Sequence, residues 1–110
     1  MKIICIEQNY TEHIKEFRPA TTGEPVFFLK PDTALLIDNK PFYLPDFSGD
    51  IHAEAEVVLK INRLGKNISE KFAHKYYDEI TVGISFTAYD IQNIQKTKGL
   101  PWEKAKAFDY

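Results

Sequence analysis

Two glutamates that stand two residues apart are the clearest candidates for chemistry in this sequence. They lie in the run His52-Ala53-Glu54-Ala55-Glu56. The alternation and the β-branched second half of residues 51–61 predict a strand, in which alternate residues share a face roughly 6.6 Å apart. His52, Glu54 and Glu56 would then point the same way, and the two carboxylates could hold one hard cation, Mg²⁺, Mn²⁺ or Ca²⁺. Taken alone, the pattern favours a simpler alternative, a half-buried strand whose polar face lies in water.

A second candidate is the pair His13 and Glu16. Asn9 can cap a helical turn over residues 11–17, on which positions three residues apart share a face. A neutral imidazole that a carboxylate orients can accept a proton from water. The following loop, residues 18–24, contains proline and glycine and is expected to be mobile. Spacing alone favours an exposed pair on a surface helix.

A third candidate is the lysine-rich segment near the C-terminus, residues 96–109. A lysine in the turn over residues 99–109 could hold an anionic substrate as a point charge. The neighbouring Lys96, Lys98 and Lys104 favour instead a solvated basic face, and both interpretations stay open.

Short strands with interspersed short helices must position these candidates. Apolar runs predict strands over residues 2–6, 25–31, 51–61 and 80–86, and the first two of these strands are expected to be buried. Residues 34–37 and 42–44 flank the turn 38–41, which predicts a hairpin in which Asn39 adopts a positive φ. The pattern lacks regular βα alternation and predicts a mixed, mostly antiparallel, β-rich α+β domain.

Two helices are predicted in the second half of the chain. Asn67, with Glu70 three residues later, fits the capping pattern of a helix that runs to about Tyr77. Asp90 is predicted to cap a last helix, which Gly99 ends.

Length and composition indicate one domain and exclude several function classes. The 110 residues are 44% hydrophobic, which is too rich for intrinsic disorder. The net charge of −2 gives no field for binding nucleic acid, and no apolar stretch approaches the roughly 20 residues of a membrane span. The single Cys5 excludes an internal disulfide. We therefore expect a cytoplasmic protein with neither a nucleic-acid partner nor a membrane partner.

Taken together and in order, the sequence segments resemble the fumarylacetoacetate hydrolase family over nearly the whole chain. The resemblance is carried by residues 6–13, 24–31, 50–56, 65–68, 76–78, 87–92, 98–102 and 105–109. It implies the first half of the family's C-terminal-domain fold. It also implies a metal-dependent hydrolase or lyase that cleaves a carbon–carbon bond in a small 2-oxo acid, such as an acylpyruvate, a fumarylacetoacetate-like compound or oxaloacetate. The usual family cofactor is Mg²⁺ or Mn²⁺, and the usual assembly is a homodimer.

The resemblance also assigns roles to individual residues. It implies that Glu54 and Glu56 are metal ligands facing a cleft that they share with Lys106. His13, oriented by Glu16, would activate water on a segment that orders over the substrate. Lys106 would be catalytic and bind a substrate oxygen.

Three departures from the family pattern qualify these roles. Ser85 occupies the position of the third metal ligand, where the family usually has Asp, so a weakly bound metal is expected. Tyr89 replaces a usual Arg at a position that we assign, with Gln92, to substrate binding. Residues 7–8 read Glu-Gln rather than the usual Gly-Arg or Gly-Met. Family chains also continue well beyond the segment that ends here. An alternative is therefore a catalytically impaired, truncated family member that acts as an association or binding module, with itself or with a partner chain.

Overall fold

The computed structural model describes residues 1–7, 9–10 and 24–109. In this part of the chain lie the strands β1 (Ile3–Glu7), β2 (Val26–Lys30), β3 (Ile51–Ile61) and β4 (Tyr77–Ala88). The helices α1 (Tyr89–Lys98) and α2 (Glu103–Lys106) follow β4, and 3₁₀ turns cover Asp32–Ala34 and Glu70–Lys75. This arrangement confirms the predicted α+β class. None of the helices described is long and apolar enough to cross a membrane.

The chain divides into two compact units. The first contains Met1–Ile51 together with Thr87–Tyr110, and the second contains His52–Phe86. The β1–β2 sheet lies in the first unit, and most of the β3–β4 sheet lies in the second. The predicted site residues divide accordingly: Tyr89, Gln92 and Lys106 belong to the first unit, whereas Glu54, Glu56 and Ser85 belong to the second.

The β1–β2 sheet of the first unit is antiparallel, with Ile3 opposite Lys30 and Cys5 opposite Phe28. Half-buried Ile3 and Cys5 alternate with exposed Ile4, as the period of two in a strand requires. Both strands were predicted from their short apolar runs and both are found, but the expectation that they are buried is wrong, because Ile4 and Phe27 are 59% and 63% exposed. Helix α2 packs against α1 and against β2.

The predicted hairpin around residues 38–41 is only half right. Asn39 has the expected positive φ, at 51°, and Asp38, for which none was predicted, also has one, at 61°. The flanks of this turn, however, do not pair as strands. Pro41 and Pro45 enclose residues 42–44 and each lacks an N–H, which removes two of the donors that a strand ladder would need.

In the second unit, β3 and β4 form an antiparallel hairpin that the Asn62 N–H closes by donating to the Tyr76 carbonyl at 2.9 Å. The predicted helix from Asn67 is wrong, because residues 70–75 form a 3₁₀ turn whose N-cap is Ser69. Asn67 has a φ of 54°, and a left-handed residue lacks the extended backbone that an N-cap requires.

The last predicted helix is confirmed as α1, and its C-terminus behaves as expected. Gly99 adopts a left-handed φ of 65°, and the Leu100 N–H donates to the Gln95 carbonyl at 2.9 Å. This is the hydrogen-bond pattern that ends a helix at a glycine.

Candidate functional site

Two side-chain contacts establish which residues of β3 and β4 share a face. Lys60 Nζ lies 3.3 Å from Glu79 Oε2. A Cβ added at Gly83 would lie 3.0 Å from Val58 Cγ2. Even-numbered residues of β3 therefore share a face with odd-numbered residues of β4, because side chains alternate along each strand.

Glu54, Glu56 and Ser85 lie on this common face, which we call the carboxylate face. All three residues are half-buried. Ala53, which precedes Glu54, and Ala55, which lies between the two glutamates, are exposed. The polar face of this hairpin is thus its more buried face. That burial pattern disfavours the alternative of a polar strand face that simply lies in water.

The opposite side of the same hairpin is apolar and exposed, and we call it the apolar face. Ile80 and Val82 are 65% and 71% exposed. The face consists of Val57, Leu59, Ile61, Ile80, Val82 and Ile84, all of them exposed. Contiguous apolar surface of this kind marks an interaction site more often than a free surface.

The donor set on the carboxylate face suits a hard divalent cation. Two carboxylates and one hydroxyl supply only oxygen atoms, which Mg²⁺ and Mn²⁺ prefer. Within residues 1–7, 9–10 and 24–109, no group of three or more His, Cys, Asp or Glu side chains could hold a metal ion. Because Ser85 stands in place of a third carboxylate, this donor set carries one negative charge less than three carboxylates would. The residues present fit the cation in chemical type, with less charge than three carboxylates would give.

Lys106 is buried in the first unit. It ends α2, is 5% exposed, and donates from Nζ to Thr87 Oγ1 at 2.8 Å. The same Nζ lies 5.3 Å from the centre of the Phe28 ring, within the range of a cation–π contact. Lys96, Lys98 and Lys104 are exposed, so Lys106 does not belong to the solvated basic face that was the alternative.

Two glutamines of α1 are buried in the same unit. Gln92 and Gln95 are 3% and 4% exposed and lie three residues apart, on one side of the helix. The Oε1 atom of Gln95 has no hydrogen-bond partner among the described residues. Tyr89 is half-buried at the start of α1, where its N–H donates to the Asp50 carbonyl at 2.8 Å.

Asp90 fixes the start of α1, although not as the predicted N-cap, which is Ala88. Its Oδ1 accepts from the Ser48 hydroxyl at 2.6 Å, and its Oδ2 accepts from the Gly49 N–H at 3.1 Å. Oδ1 also accepts from the Ile91 N–H at 2.8 Å. Chiefly because of the Ser48 hydroxyl, the pKa of Asp90 is lowered from its ordinary value of 3.8. The carboxylate therefore holds the 48–49 turn against the helix that carries Gln92.

Residues 2–110 match the family model described as fumarylacetoacetate (FAA) hydrolase C-terminal. The chain belongs to the fumarylacetoacetate hydrolase family. The sequence resemblance is thereby confirmed, and with it the fold expected of the family's first half.

Relatives in this family are about twice as long. Oxaloacetate tautomerase YcgM of Escherichia coli (strain K12) is 39% identical over 108 residues, which cover 98% of this chain and 49% of that protein. The mitochondrial oxaloacetate tautomerase FAHD1 of Rattus norvegicus is 38% identical over 96% of this chain and 48% of its own. The crystal structure of fumarylpyruvate hydrolase from Pseudomonas aeruginosa, in complex with Mn²⁺ and pyruvate, superposes with a TM-score of 0.90 at 31% identity and covers 99% of this chain and 49% of its own. The chain spans about half the length of the relatives that it matches.

Two residues to which the family resemblance assigns a role are not located by the structure. His13 and Glu16, with the predicted helix over residues 11–17 and residues 18–23 of the predicted loop, lie outside the described residues. Their role in activating water stays a prediction, as does the cleft that Glu54 and Glu56 are expected to share with Lys106.

Sequence reasoning overlooked two buried polar residues of this family member, Thr87 and Gln95. A signal for each was present. Thr87 continues the alternation of small or polar residues at positions 81, 83 and 85, and Gln95 follows Gln92 at helical spacing. Neither pattern says which partner the side chain meets.

Proposed function

We propose that this protein processes a small 2-oxo acid of the oxaloacetate or acylpyruvate type with the help of a divalent metal ion. The observation that carries the proposal is the burial of Lys106, whose ammonium is fixed at Thr87 Oγ1. Buried lysines are rare, and one beside a hydroxyl and an aromatic ring is suited to hold an anionic oxygen. Relatives named as oxaloacetate tautomerases and a pyruvate-bound fumarylpyruvate hydrolase support the substrate class.

Glu54 and Glu56 would hold the metal ion, with Ser85 as a weak third ligand. Bound Mg²⁺ or Mn²⁺ would act as a Lewis acid that polarises the 2-oxo carbonyl and stabilises negative charge on its oxygen. The half-burial of both carboxylates supports this role, because a less hydrated carboxylate pair gains more from a neutralising cation.

Lys106 would bind a carboxylate or carbonyl oxygen of the substrate and stabilise the charge that develops there. The Gln92 amide, buried on α1, would orient the substrate by hydrogen bonding. Tyr89 would take the third substrate-binding position and, unlike the usual Arg, cannot form a bidentate pair with a carboxylate. The metal ligands and these residues would all favour negative charge on the 2-oxo oxygen. Tautomerisation, decarboxylation and carbon–carbon hydrolysis have the development of this charge in common.

The reaction catalysed depends on where a proton is taken and returned. His13, oriented by Glu16, would take a proton from water if a carbon–carbon bond is hydrolysed. If oxaloacetate is interconverted between its keto and enol forms, the proton is moved at the carbon next to the carbonyl, and no bond to water forms. The names of the relatives favour the second reaction, while the expected weak metal site predicts a slow rate in either case.

Calorimetry with Mn²⁺ and pyruvate tests the proposal in two separable steps. Mn²⁺ is titrated into the wild type and into Glu54→Ala, and pyruvate is then titrated into the Mn²⁺-loaded wild type and into Lys106→Met. We expect Glu54→Ala to weaken Mn²⁺ binding, and Lys106→Met to keep Mn²⁺ binding but lose pyruvate. Pyruvate binding that is unchanged in Lys106→Met would contradict the proposed role of this lysine.

We also propose association through the apolar face, with a second copy or with a partner chain. The six exposed aliphatic residues of this face support it, because soluble monomers rarely leave a strand hairpin with such a surface uncovered. Association through this face is compatible with catalysis. It would also be the function of the chain if the alternative holds, in which the chain is an association module without turnover.

A further inference from the structure

The buried interior of the first unit is polar where an aliphatic core would be usual. Its fully buried residues in the described part of the chain are two alanines, Ala88 and Ala105, and the polar residues Thr87, Gln92, Gln95 and Lys106. Interiors of domains are normally filled by Leu, Ile, Val and Phe. The buried interior of this unit thus consists of small and polar side chains, and the polar ones are candidates for chemistry.

Thr87 lies beside Lys106 within this interior. It lies one residue before the end of β4, is 1% exposed, and accepts from Lys106 Nζ at 2.8 Å across 19 residues of sequence. A valine at this position would have the same shape and the same β-branched preference for a strand. The hydroxyl is therefore not needed for packing or for strand formation, and its contribution is the acceptor atom.

The contact fixes a side chain that is flexible by itself. Lysine carries its charge on a four-carbon stem, and holding that stem in one conformation costs rotamer entropy. Here the Thr87 oxygen binds one ammonium proton, while the Phe28 ring lies 5.3 Å from the same nitrogen. A polar contact and an aromatic contact thus both act on the Lys106 ammonium in this interior.

We infer that Thr87 is the positioning residue of Lys106, and that it sets the affinity of this lysine for the anionic oxygen of the substrate. The inference rests on the proposed function of Lys106 as the substrate-binding cation. Without the Thr87 hydroxyl, the ammonium loses a charge-assisted hydrogen bond and its fixed orientation, so part of the binding energy for substrate is spent on ordering the side chain.

The test compares Thr87→Val, which keeps the shape, with Thr87→Ser, which keeps the acceptor. NMR of the lysine ammonium groups gives a readout that needs no substrate, because ammonium protons are observed when hydrogen bonding and burial slow their exchange with water. The Lys106 signal is assigned by its absence in Lys106→Met. We expect this signal in the wild type and in Thr87→Ser, and its loss or broadening in Thr87→Val. An unchanged signal in Thr87→Val would overturn the inference.

Pyruvate binding to the Mn²⁺-loaded protein supplies the functional readout. We expect about tenfold weaker binding in Thr87→Val, recovery to within about threefold in Thr87→Ser, and unchanged Mn²⁺ affinity in both. Equal losses in Thr87→Val and Thr87→Ser would overturn the positioning role.

Controls separate folding from function. Thr97→Val removes a hydroxyl that donates to the Asn93 carbonyl on an exposed part of α1, and it should leave the Lys106 signal and pyruvate binding unchanged. If Thr87→Val fails to fold, the double variant Thr87→Val, Lys106→Met should fold again, because it removes both polar partners. Failure of that double variant to recover would overturn the pairing. If the wild type does not bind pyruvate at all, the proposed function fails, and the ammonium signal alone decides the contact between Thr87 and Lys106.

Discussion

Ser48 donates a hydrogen bond of 2.6 Å to Asp90 Oδ1 across 42 residues of sequence and joins the turn before β3 to the first turn of α1. The same carboxylate accepts from two backbone N–H groups, those of Gly49 and Ile91. One aspartate thus ties the 48–49 turn to the first turn of the helix that carries Tyr89 and Gln92.

Ser48→Ala should reduce stability in a way that depends on pH. The folded-state pKa of Asp90 lies below its ordinary value of 3.8, so the stabilisation is fully present above that value and is lost as the pH falls through the lowered pKa. We expect Ser48→Ala to unfold at a lower urea concentration than the wild type at pH 7, and the difference to shrink below pH 3.8. Urea unfolding at several pH values measures this.

Ser69→Ala is the matched control for this prediction. Ser69 begins the 3₁₀ turn over residues 70–75, and its side chain makes no capping hydrogen bond. The effect of Ser69→Ala on stability to urea should be small and independent of pH. A difference between Ser48→Ala and the wild type that stays constant down to pH 3 would mean that Asp90 is not stabilised by Ser48 in its charged form.

Ser85→Asp should tighten binding of Mn²⁺ or Mg²⁺. A hydroxyl offers a dipole where a hard dication prefers a full charge, and Ser85 lies on the same face as Glu54 and Glu56. We expect an affinity about tenfold higher or more, at roughly 1.4 kcal/mol per decade, measured by calorimetry.

Glu54→Ala in both backgrounds serves as the control for the metal titration. It should weaken binding in the wild type and remove most of the gain in Ser85→Asp. Equal affinities of the wild type and Ser85→Asp would show that position 85 is not a ligand position.

Gly65→Ala should destabilise the second unit. The added Cβ would lie 2.6 Å from Cε1 of the half-buried Tyr76 ring and would also overlap Ile68 Cδ1. Such overpacking typically costs about 1–3 kcal/mol, since the ring must move. Thermal unfolding measures the loss. Gly49→Ala is the matched control, because a Cβ at Gly49 meets nothing within 4 Å; a loss of the same size there would refute the steric explanation.

Val82→Lys should weaken self-association. Val82 is 71% exposed on the apolar face, and a lysine there would place a charge in any interface that the face forms. Sedimentation velocity should show a shift toward the monomer, with a dissociation constant that is higher by about tenfold or more. Thr81→Lys, on the opposite side of the same strand, should leave the association unchanged. A wild type that sediments as a stable monomer at high concentration would contradict the association proposal.

Regular alternation was the part of this structure that the sequence predicted best. The glutamates at 54 and 56 could be placed on one strand face because a period of two leaves no other choice, and β3 was found with the predicted bounds. Gly99 likewise ended α1 as expected, because few residues other than glycine adopt a left-handed backbone at low cost.

Other features depended on contacts that local pattern does not encode. Asn67 has the residue type of an N-cap but the backbone of a left-handed turn, so the predicted helix did not form. Asp90 was expected to bind its own helix, and its strongest partner is instead Ser48, far away in sequence. The bond between Lys106 and Thr87 joins α2 to the end of β4, and only the packed fold brings these residues together.

The most direct test of the central claim is the Mn²⁺-dependent conversion of enol-oxaloacetate, followed by its ultraviolet absorbance. Free Mn²⁺ itself promotes reactions of oxaloacetate, so the background is measured without protein at the same Mn²⁺ concentration. We predict a slow protein-dependent rate in the wild type, a faster rate in Ser85→Asp, the background rate in Lys106→Met, and no protein-dependent rate with excess chelator. Rates equal to the background in both the wild type and Ser85→Asp would contradict a role for this chain in processing 2-oxo acids.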